Sequence, residues 1–512
     1  MLSSQSNKTM HSKLREAGAA AATTAASLAL AFWAGLWLKR AAGLGDSIVV
    51  LTVAITVTLA RTQRETSWRR ALFGLALLPF AAVGAAEVGW LLAKRHGVGD
   101  TLWLVGVAGA IWVRRFGPRA AEFGTLVTLP LVAVLVSPVP PGDGPVGRVV
   151  WSAAAAGIAF ASVAFGRIAA RAVGIGTTRQ PAVPRSSPER GAGRSRLPAS
   201  TRMALQMAAA SGAAFLVGRL AYPDHWTWTV LTAFLVCSGN RGRGDVVHKS
   251  VLRVAGAAVG TVLATLCAGA FSPGDHASVA VILAVLVVAS CLRTFSYAYW
   301  AGCVTAVLSL LYGYYGQTGT GLLRTRLEEI VVGAAIGVAA SWFVLPVRSG
   351  DVARRRIADA LAALGDVLAH DRRNRADEVA KAHARFNRSV AQLGEIAAPF
   401  DAHHRIVRWW RPQAAHPADA IAAVRSCAEP VRAIATRGPD DGFAERAEAV
   451  SANIVATRLA IGRRPGRPHR ELPPPRPHLD TAVAAAHAAL STIDTALIRV
   501  TRVYPPQPPA NA

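Results

Sequence analysis

Twelve apolar segments follow one another along the first two thirds of this chain, near 17–38, 47–60, 71–92, 101–113, 123–137 and 149–170, then 203–221, 226–238, 251–271, 277–292, 297–315 and 327–346. Runs of this kind restrict the fold severely. Hydrocarbon offers a backbone no hydrogen-bond partners, so each run must satisfy its own N–H and C=O groups, as a helix does. A straight crossing takes about 20 residues. The second and fourth runs fall short of that, which predicts either extension into flanking polar residues or broken helices lining a protected cavity. A composition of 52% hydrophobic and only 17% charged residues agrees with a membrane protein.

The charge pattern gives the topology. Residues 1–350 carry 32 Lys and Arg against 13 Asp and Glu, and residues 351–512 carry 24 against 17. The excess is broken into short clusters between apolar runs, whereas a nucleic-acid binder gathers it on one solvated face, so nucleic acid is excluded as a partner. With the N-terminus inside, the cytoplasmic connections hold Arg61, Arg64, Arg69 and Arg70, then Arg114, Arg115 and Arg119, seven Arg from Arg171 to Arg202, then Arg241, Arg243 and Lys249, and Arg293. The opposite loops hold only Lys39, Arg40, Lys94, Arg95, Arg324 and Arg326, with none in the SPVPPGDGPVG, YPDH and SPGDH turns. The expected address is the inner (plasma) membrane, multi-pass, with both termini cytoplasmic. The first run follows a short basic head, Lys8 to Arg15, and its length marks it as an anchor rather than a cleaved signal.

The segments repeat. YPDHWTWTVLTAFLVCSGNRGRGDVVHKSVLRVAGAAVG, from Tyr222 to Gly260, has a weaker copy in Gly45-Asp46, SIVVLTVAITVTLA, the basic loop RTQRETSWRR and the run beginning at Ala71. RRFGPRAAEFGTLVTLPLVAVL from Arg114 matches LRTFSYAYWAGCVTAVLSLL from Leu292, and RVVWSAAAAGIAFASVAF from Arg148 matches RLEEIVVGAAIGVAASWF from Arg326. Six helices per copy is an even number, so the copies enter the membrane in the same sense, the parallel class. The expected fold is all-α: residues 1–172 a first six-helix membrane repeat, 173–200 a flexible basic linker, 201–347 a second repeat, and 351–512 a soluble cytoplasmic helical bundle. Helical spacing over 351–373, 376–398, 417–436, 443–461 and 479–503 supports the last, with breaks expected at His403-His404 and in the Pro-rich stretch 465–477.

No P-loop, dinucleotide fingerprint, GxSxG elbow or HExxH motif occurs, which argues against a nucleotide-driven pump and against an enzyme. The five cysteines form no CxxC pair, and His403, His404 and His416 lack Cys and carboxylate company, so no metal or other cofactor is expected. The GxxxG spacings Gly256–Gly260 and Gly333–Gly337 read as close helix packing. Trp226, Trp228, Tyr297, Tyr299, Trp300, Tyr312, Tyr314 and Tyr315 sit at segment ends and read as interfacial anchors, with stacking on an aromatic substrate as the alternative. Packing inside the bundle is expected for the three histidines and for RWWRP at Arg408–Pro412.

Charges beside apolar runs cost free energy without a partner or a task, so they are the functional candidates. Glu87 and Glu122 belong to the first half. In the second, Asp224, His225 and Trp226 enter the eighth segment, Arg293 follows the tenth, and Arg326, Glu328 and Glu329 open the twelfth. These seven are candidates for a substrate and proton pathway, with both acids read alternatively as helix N-terminal caps. Arg241, Arg243, Lys249 and Arg253 form the cytoplasmic basic stretch, suited to anionic lipid or substrate.

HWTWTVLTAFLV, the RGRGD turn, RVAGAAVGTVLA and RLEEIVVGAAIGVAAS resemble the fusaric acid resistance (FUSC) or aromatic acid exporter-like membrane family. The resemblance covers about residues 200–346, is weak in the first repeat, where Ser47-Ile48 replace the His-Trp pair, and hardly reaches the C-terminal region. It implies proton-gradient-driven efflux of small, often aromatic, organic anions, with the bilayer and that anion as partners and room for a homo-oligomer or an accessory export subunit. A passive organic-anion channel, and a non-transporting scaffold acting through its helical domain, remain the alternatives.

Overall fold

The computed structural model describes residues 2–62, 68–136, 144–172, 197–267, 271–435 and 441–507, apart from 273, 294, 315, 317–319, 373–375, 467 and 475–480. Most of the expected linker, 173–196, lies outside the described residues. All regular structure among the described residues is helical, with one isolated bridge between Pro465 and Gln507. The chain divides into one unit of residues 1–240 and 249–346, and another of residues 241–248 and 347–512.

Each of the twelve apolar segments is a helix. In order they are α1 (Leu2–Ala42), α2 (Ser47–Thr62), α3 (Trp68–Lys94), α4 (His96–Trp112), α5 (Pro118–Val136), α6 (Gly144–Ala172), α7 (Ala199–Ala221), α8 (Thr227–Cys237), α9 (Arg243–Cys267), α10 (His276–Leu292), α11 (Tyr297–Tyr314) and α12 (Thr320–Phe343). Seven of them, α1, α3 to α7 and α9, are long and apolar enough to cross a membrane, while α2, α8 and α10 are shorter apolar helices. The short fourth segment is resolved by extension, since α4 begins at His96 and takes in Asp100. The eighth is not, because α8 spans only 11 residues, about 16 Å against a hydrocarbon core of about 30 Å.

Small residues set the helix contacts. A Cβ on Gly256 would lie 2.3 Å from the Ala298 carbonyl oxygen and one on Gly260 2.2 Å from that of Gly302, so α9 and α11 touch backbone to backbone. In α12 a Cβ on Gly333 would lie 2.5 Å from the Thr229 carbonyl oxygen of α8, and one on Gly337 2.5 Å from the Val236 side chain. Both GxxxG pairs are therefore packing seams. The helix pairings also recur in the two halves: α4 packs on α7 and α10 on α1, while α1 packs on α2 and α7 on α8.

The second unit holds α13 (Ser349–Arg372), α14 (Ala376–Trp410), α15 (Pro417–Ser426), α16 (Ala428–Ala435), α17 (Asp441–Ile461) and α18 (Thr481–Val503) around one apolar core. α18 is also long and apolar enough to cross a membrane. Its Ala486, Leu490, Ile493, Leu497 and Val500 recur at helical spacing and are buried in that core with Ile357, Leu364, Phe386, Val424 and Ile454.

Two expectations fail here. The break at His403-His404 does not occur, because α14 runs through Pro399 to Trp410. A proline in a helix leaves the carbonyl four residues earlier without its donor, and that carbonyl, on Glu395, accepts from Arg241 Nη1 at 2.8 Å instead. The segment 417–436 is two helices, parted at Cys427, since the Pro430 ring is tolerated only in the first turn of a new helix.

The Pro-rich stretch is pinned by buried polar groups. Asn453 Nδ2 donates to the Arg470 carbonyl and to Asp494 Oδ1, both at 2.8 Å, and Asn453 Oδ1 accepts from Arg470 N at 2.8 Å. Arg446 donates to the Pro473 carbonyl and, at 2.7 Å, to Ser491 Oγ.

Candidate functional site

α12 carries Arg326, Glu329, Ile330, Gly333 and Gly337 at spacings of three and four, and hence on one face. The glycines press that face against α8, so the charged pair is carried inward with them. Arg326 is 2% exposed and Glu329 is 0% exposed. The Arg326 guanidinium lies 3.8 Å from the Tyr312 ring centroid of α11 and 5.6 Å from that of Trp228 in α8. Stacking on two ring faces stabilises a desolvated cation by about 2 kcal/mol or more. Glu329 is close enough to act on the Arg326 charge. Neither carboxylate oxygen of Glu329, nor Nε or Nη2 of Arg326, has a hydrogen-bond partner.

Glu328 behaves differently from its neighbour. It is exposed and pairs with Arg324 at 3.0 Å, one turn away. The alternative in which both acids cap the helix is ruled out, because α12 starts at Thr320 and they sit two turns inside it.

Of the residues entering α8, Asp224 is exposed and His225 half-buried, and among the described residues no ion pair joins either to Arg326, Glu328 or Glu329. Tyr222, just before them, is closer electrostatically: burial first, then Glu328 and Glu329, raise the pKa of its hydroxyl. Trp226 belongs to another cluster. Its ring lies 4.0 Å from the Arg219 guanidinium and 5.4 Å from Phe215, and Arg219 binds Asp100 through Nε at 2.8 Å and Nη2 at 2.6 Å. Two residues along a helix are 200° apart, which is why Trp228 and not Trp226 reaches Arg326. Arg293 is exposed at the end of α10, 5.9 Å from Trp300. From Trp300 to Tyr312 is about 18 Å along α11.

The basic stretch separates as well. Arg241 pairs with Glu395 Oε2 at 3.0 Å and binds the carbonyl freed by Pro399, so it holds the second unit together. Arg243 donates its backbone N–H to the Val347 carbonyl at 3.1 Å. Lys249 reaches the Ser238 and Gly239 carbonyls at 3.3 and 3.4 Å. Arg253 is not in a loop at all: it lies within α9 and is 1% exposed, with Tyr297 of α11 acting on its charge.

In the first half Glu87 is bound by Arg148 Nε and Nη2, both at 3.0 Å, with Trp90 4.9 Å from the guanidinium. Arg148 is the residue that the repeat aligns with Arg326, and it has the carboxylate that Arg326 lacks as a hydrogen-bond partner.

In the second unit His416 is buried and His404 half-buried, while His403 is exposed. His416 Nδ1 accepts from Ala418 N at 3.1 Å to cap α15, His403 Nδ1 lies 2.9 Å from His416 Nε2, and His404 stacks on it at 4.8 Å. Burial first, then His404 and His403, push the His416 pKa down to about 4. RWWRP does not pack: Trp409 and Trp410 are 81% and 72% exposed. Among the described residues no group of His, Cys, Asp and Glu is arranged to hold a metal ion.

The sequence reading passed over Asp100 and Arg219, although a charge inside an apolar run was signal enough for each. It treated Trp228 and Tyr312 as interfacial anchors.

Residues 210–340 match the family model described as fusaric acid resistance protein-like. The matched region runs from within α7 to near the end of α12 and contains Trp228, Arg253, Tyr297, Tyr312, Arg326 and Glu329. No curated protein matches the chain. The matched domain and the apolar helices together make this a multi-pass membrane protein.

Proposed function

We propose that the chain is a transporter that moves small organic anions, aromatic ones included, out of the cell across the inner membrane, driven by the proton gradient. The two six-helix repeats at 1–172 and 201–347 form the pathway, and residues 351–512 form a cytoplasmic helical bundle. One observation carries the reading: a guanidinium and a carboxylate, Arg326 and Glu329, are buried together in an apolar helix seam. Groups so placed are costly to keep and are retained where they bind or exchange ions.

In this reading Arg326 holds the anion, the Tyr312 and Trp228 rings flank an aromatic substrate, and Glu329 takes up and releases the proton. Export then needs no nucleotide. Collapsing the proton gradient with ATP held constant stops the efflux of benzoate from cells expressing the protein, and continued efflux under those conditions contradicts the proposal.

A passive anion channel is the second reading, and the charge balance favours it. Buried Arg253 and Arg326 face one buried carboxylate, Glu329, among the described residues of the first unit. The excess positive charge attracts an anion without calling for a proton in return.

A further inference from the structure

We propose that Arg253 and Tyr297 form a second anion site, separate from Arg326, which binds the carboxylate of a small monoanion as it crosses the second half of the membrane unit. This rests on the transport reading, in either its coupled or its passive form.

The protein itself shows how its arginines bind carboxylates. Arg148 holds Glu87 and Arg219 holds Asp100 in the same way, Nε to one oxygen and Nη2 to the other, at 2.6 to 3.0 Å. That edge of the guanidinium presents two parallel donors matched to the two oxygens of a carboxylate. On Arg253 it is Nε and Nη2 that are buried without a hydrogen-bond partner. Tyr297, whose hydroxyl acts on the Arg253 charge, is likewise buried without a partner at its Oη. Gly256, one turn along α9 from Arg253, packs against the carbonyl of Ala298, the neighbour of Tyr297, so the unpartnered donors of both side chains lie along one α9–α11 seam: two on a guanidinium that does not give up its charge, and one on a phenol.

The valence follows from charge. Arg148 and Arg219 are neutralised by Glu87 and Asp100, and Glu329 offsets Arg326. Arg253 is left as a buried cation with no acidic partner among the described residues, and one negative charge balances it. Tyr297 also supplies a ring face, so an aromatic monocarboxylate fits the site better than a phosphate or a dicarboxylate.

The test uses the full chain in nanodiscs and in proteoliposomes, with benzoate as the probe and benzyl alcohol as the uncharged control. Arg253→Met removes the charge at similar volume. The ligand-free Tm should rise, since an unbalanced buried charge is relieved, and the benzoate-dependent Tm increase should vanish. The KM for benzoate should rise roughly tenfold or more, the weight of one charge-assisted contact. Arg253→Lys, which keeps the charge but not the paired donors, should fall between, and Tyr297→Phe should weaken benzoate alone. An Arg253→Met protein with a lower ligand-free Tm and an unchanged KM would show a structural arginine and overturn the proposal. If Arg253→Met does not fold, an unchanged KM in both Arg253→Lys and Tyr297→Phe overturns it equally. Wild-type protein that neither binds nor moves benzoate refutes the transport reading instead, before any variant is made.

Discussion

Neutralising Glu329 should hurt the fold more than neutralising Arg326, although the two carry equal and opposite charges. Glu329→Gln keeps the shape and leaves Arg326 buried beside Tyr312 and Trp228 without a counter-charge. Breaking a buried pair from one side costs about 3–5 kcal/mol, and the two ring faces at 3.8 and 5.6 Å offset about 2 kcal/mol of that. A net loss of about 1–3 kcal/mol follows. Arg326→Met leaves a lone carboxyl, which can escape the cost of a buried charge by binding a proton, as a guanidinium cannot. Its loss should be smaller and should grow as pH rises. The double variant Arg326→Met/Glu329→Gln carries neither charge of the pair and should recover most of the stability. The assay is unfolding of the purified protein in detergent across the four-member cycle at two pH values. Additivity within about 0.5 kcal/mol would mean that the two side chains do not sense one another, and the site as described would be wrong.

Two further outcomes are expected. Acidification should loosen α15 in the second unit. His416 is held neutral in the fold, with a pKa of about 4 against an ordinary 6.5, so the unfolded segment binds the proton first. Its stability is complete above about pH 6.5 and is lost as pH falls through about 4, by at most about 3 kcal/mol before solvent screening. The charged and ionisable groups facing it are His403, His404 and Asp419. Amide exchange in the full chain reads this out, and His416→Asn, which can still cap the helix, should flatten the profile; a profile unchanged by that substitution would refute the assignment. For topology, a single cysteine placed at Asp275 in a cysteine-free background should react with an impermeant maleimide from outside only, and labelling from inside alone would invert the arrangement.

The helices were legible because an apolar run in this composition has few other ways to satisfy its backbone, and each of the twelve segments appears as a helix. Contacts were less legible, since they depend on which face of each helix is turned inward. Glu328 and Glu329 are adjacent in sequence and 100° apart on α12, so one pairs with Arg324 in the open while the other is sealed in. The same geometry exchanged Trp226 for Trp228. Arg253 was grouped with the basic loop because Lys249 stands four residues before it, although it falls inside the 251–271 apolar run, and α9 places it within the helix. The passage of α14 through Pro399 could not be read locally at all, because the group that donates to the orphaned Glu395 carbonyl, Arg241, lies 154 residues earlier.

The direct test of anion export by this protein is simultaneous recording of benzoate and proton movement in proteoliposomes, with the membrane potential clamped by valinomycin and potassium. The account predicts saturable benzoate flux that follows an imposed pH gradient at zero voltage, accompanied by proton movement and abolished in Arg326→Met. Benzoate flux that follows voltage alone, with no proton movement, would contradict proton-driven efflux and establish a channel. No flux at all would remove transport from the account.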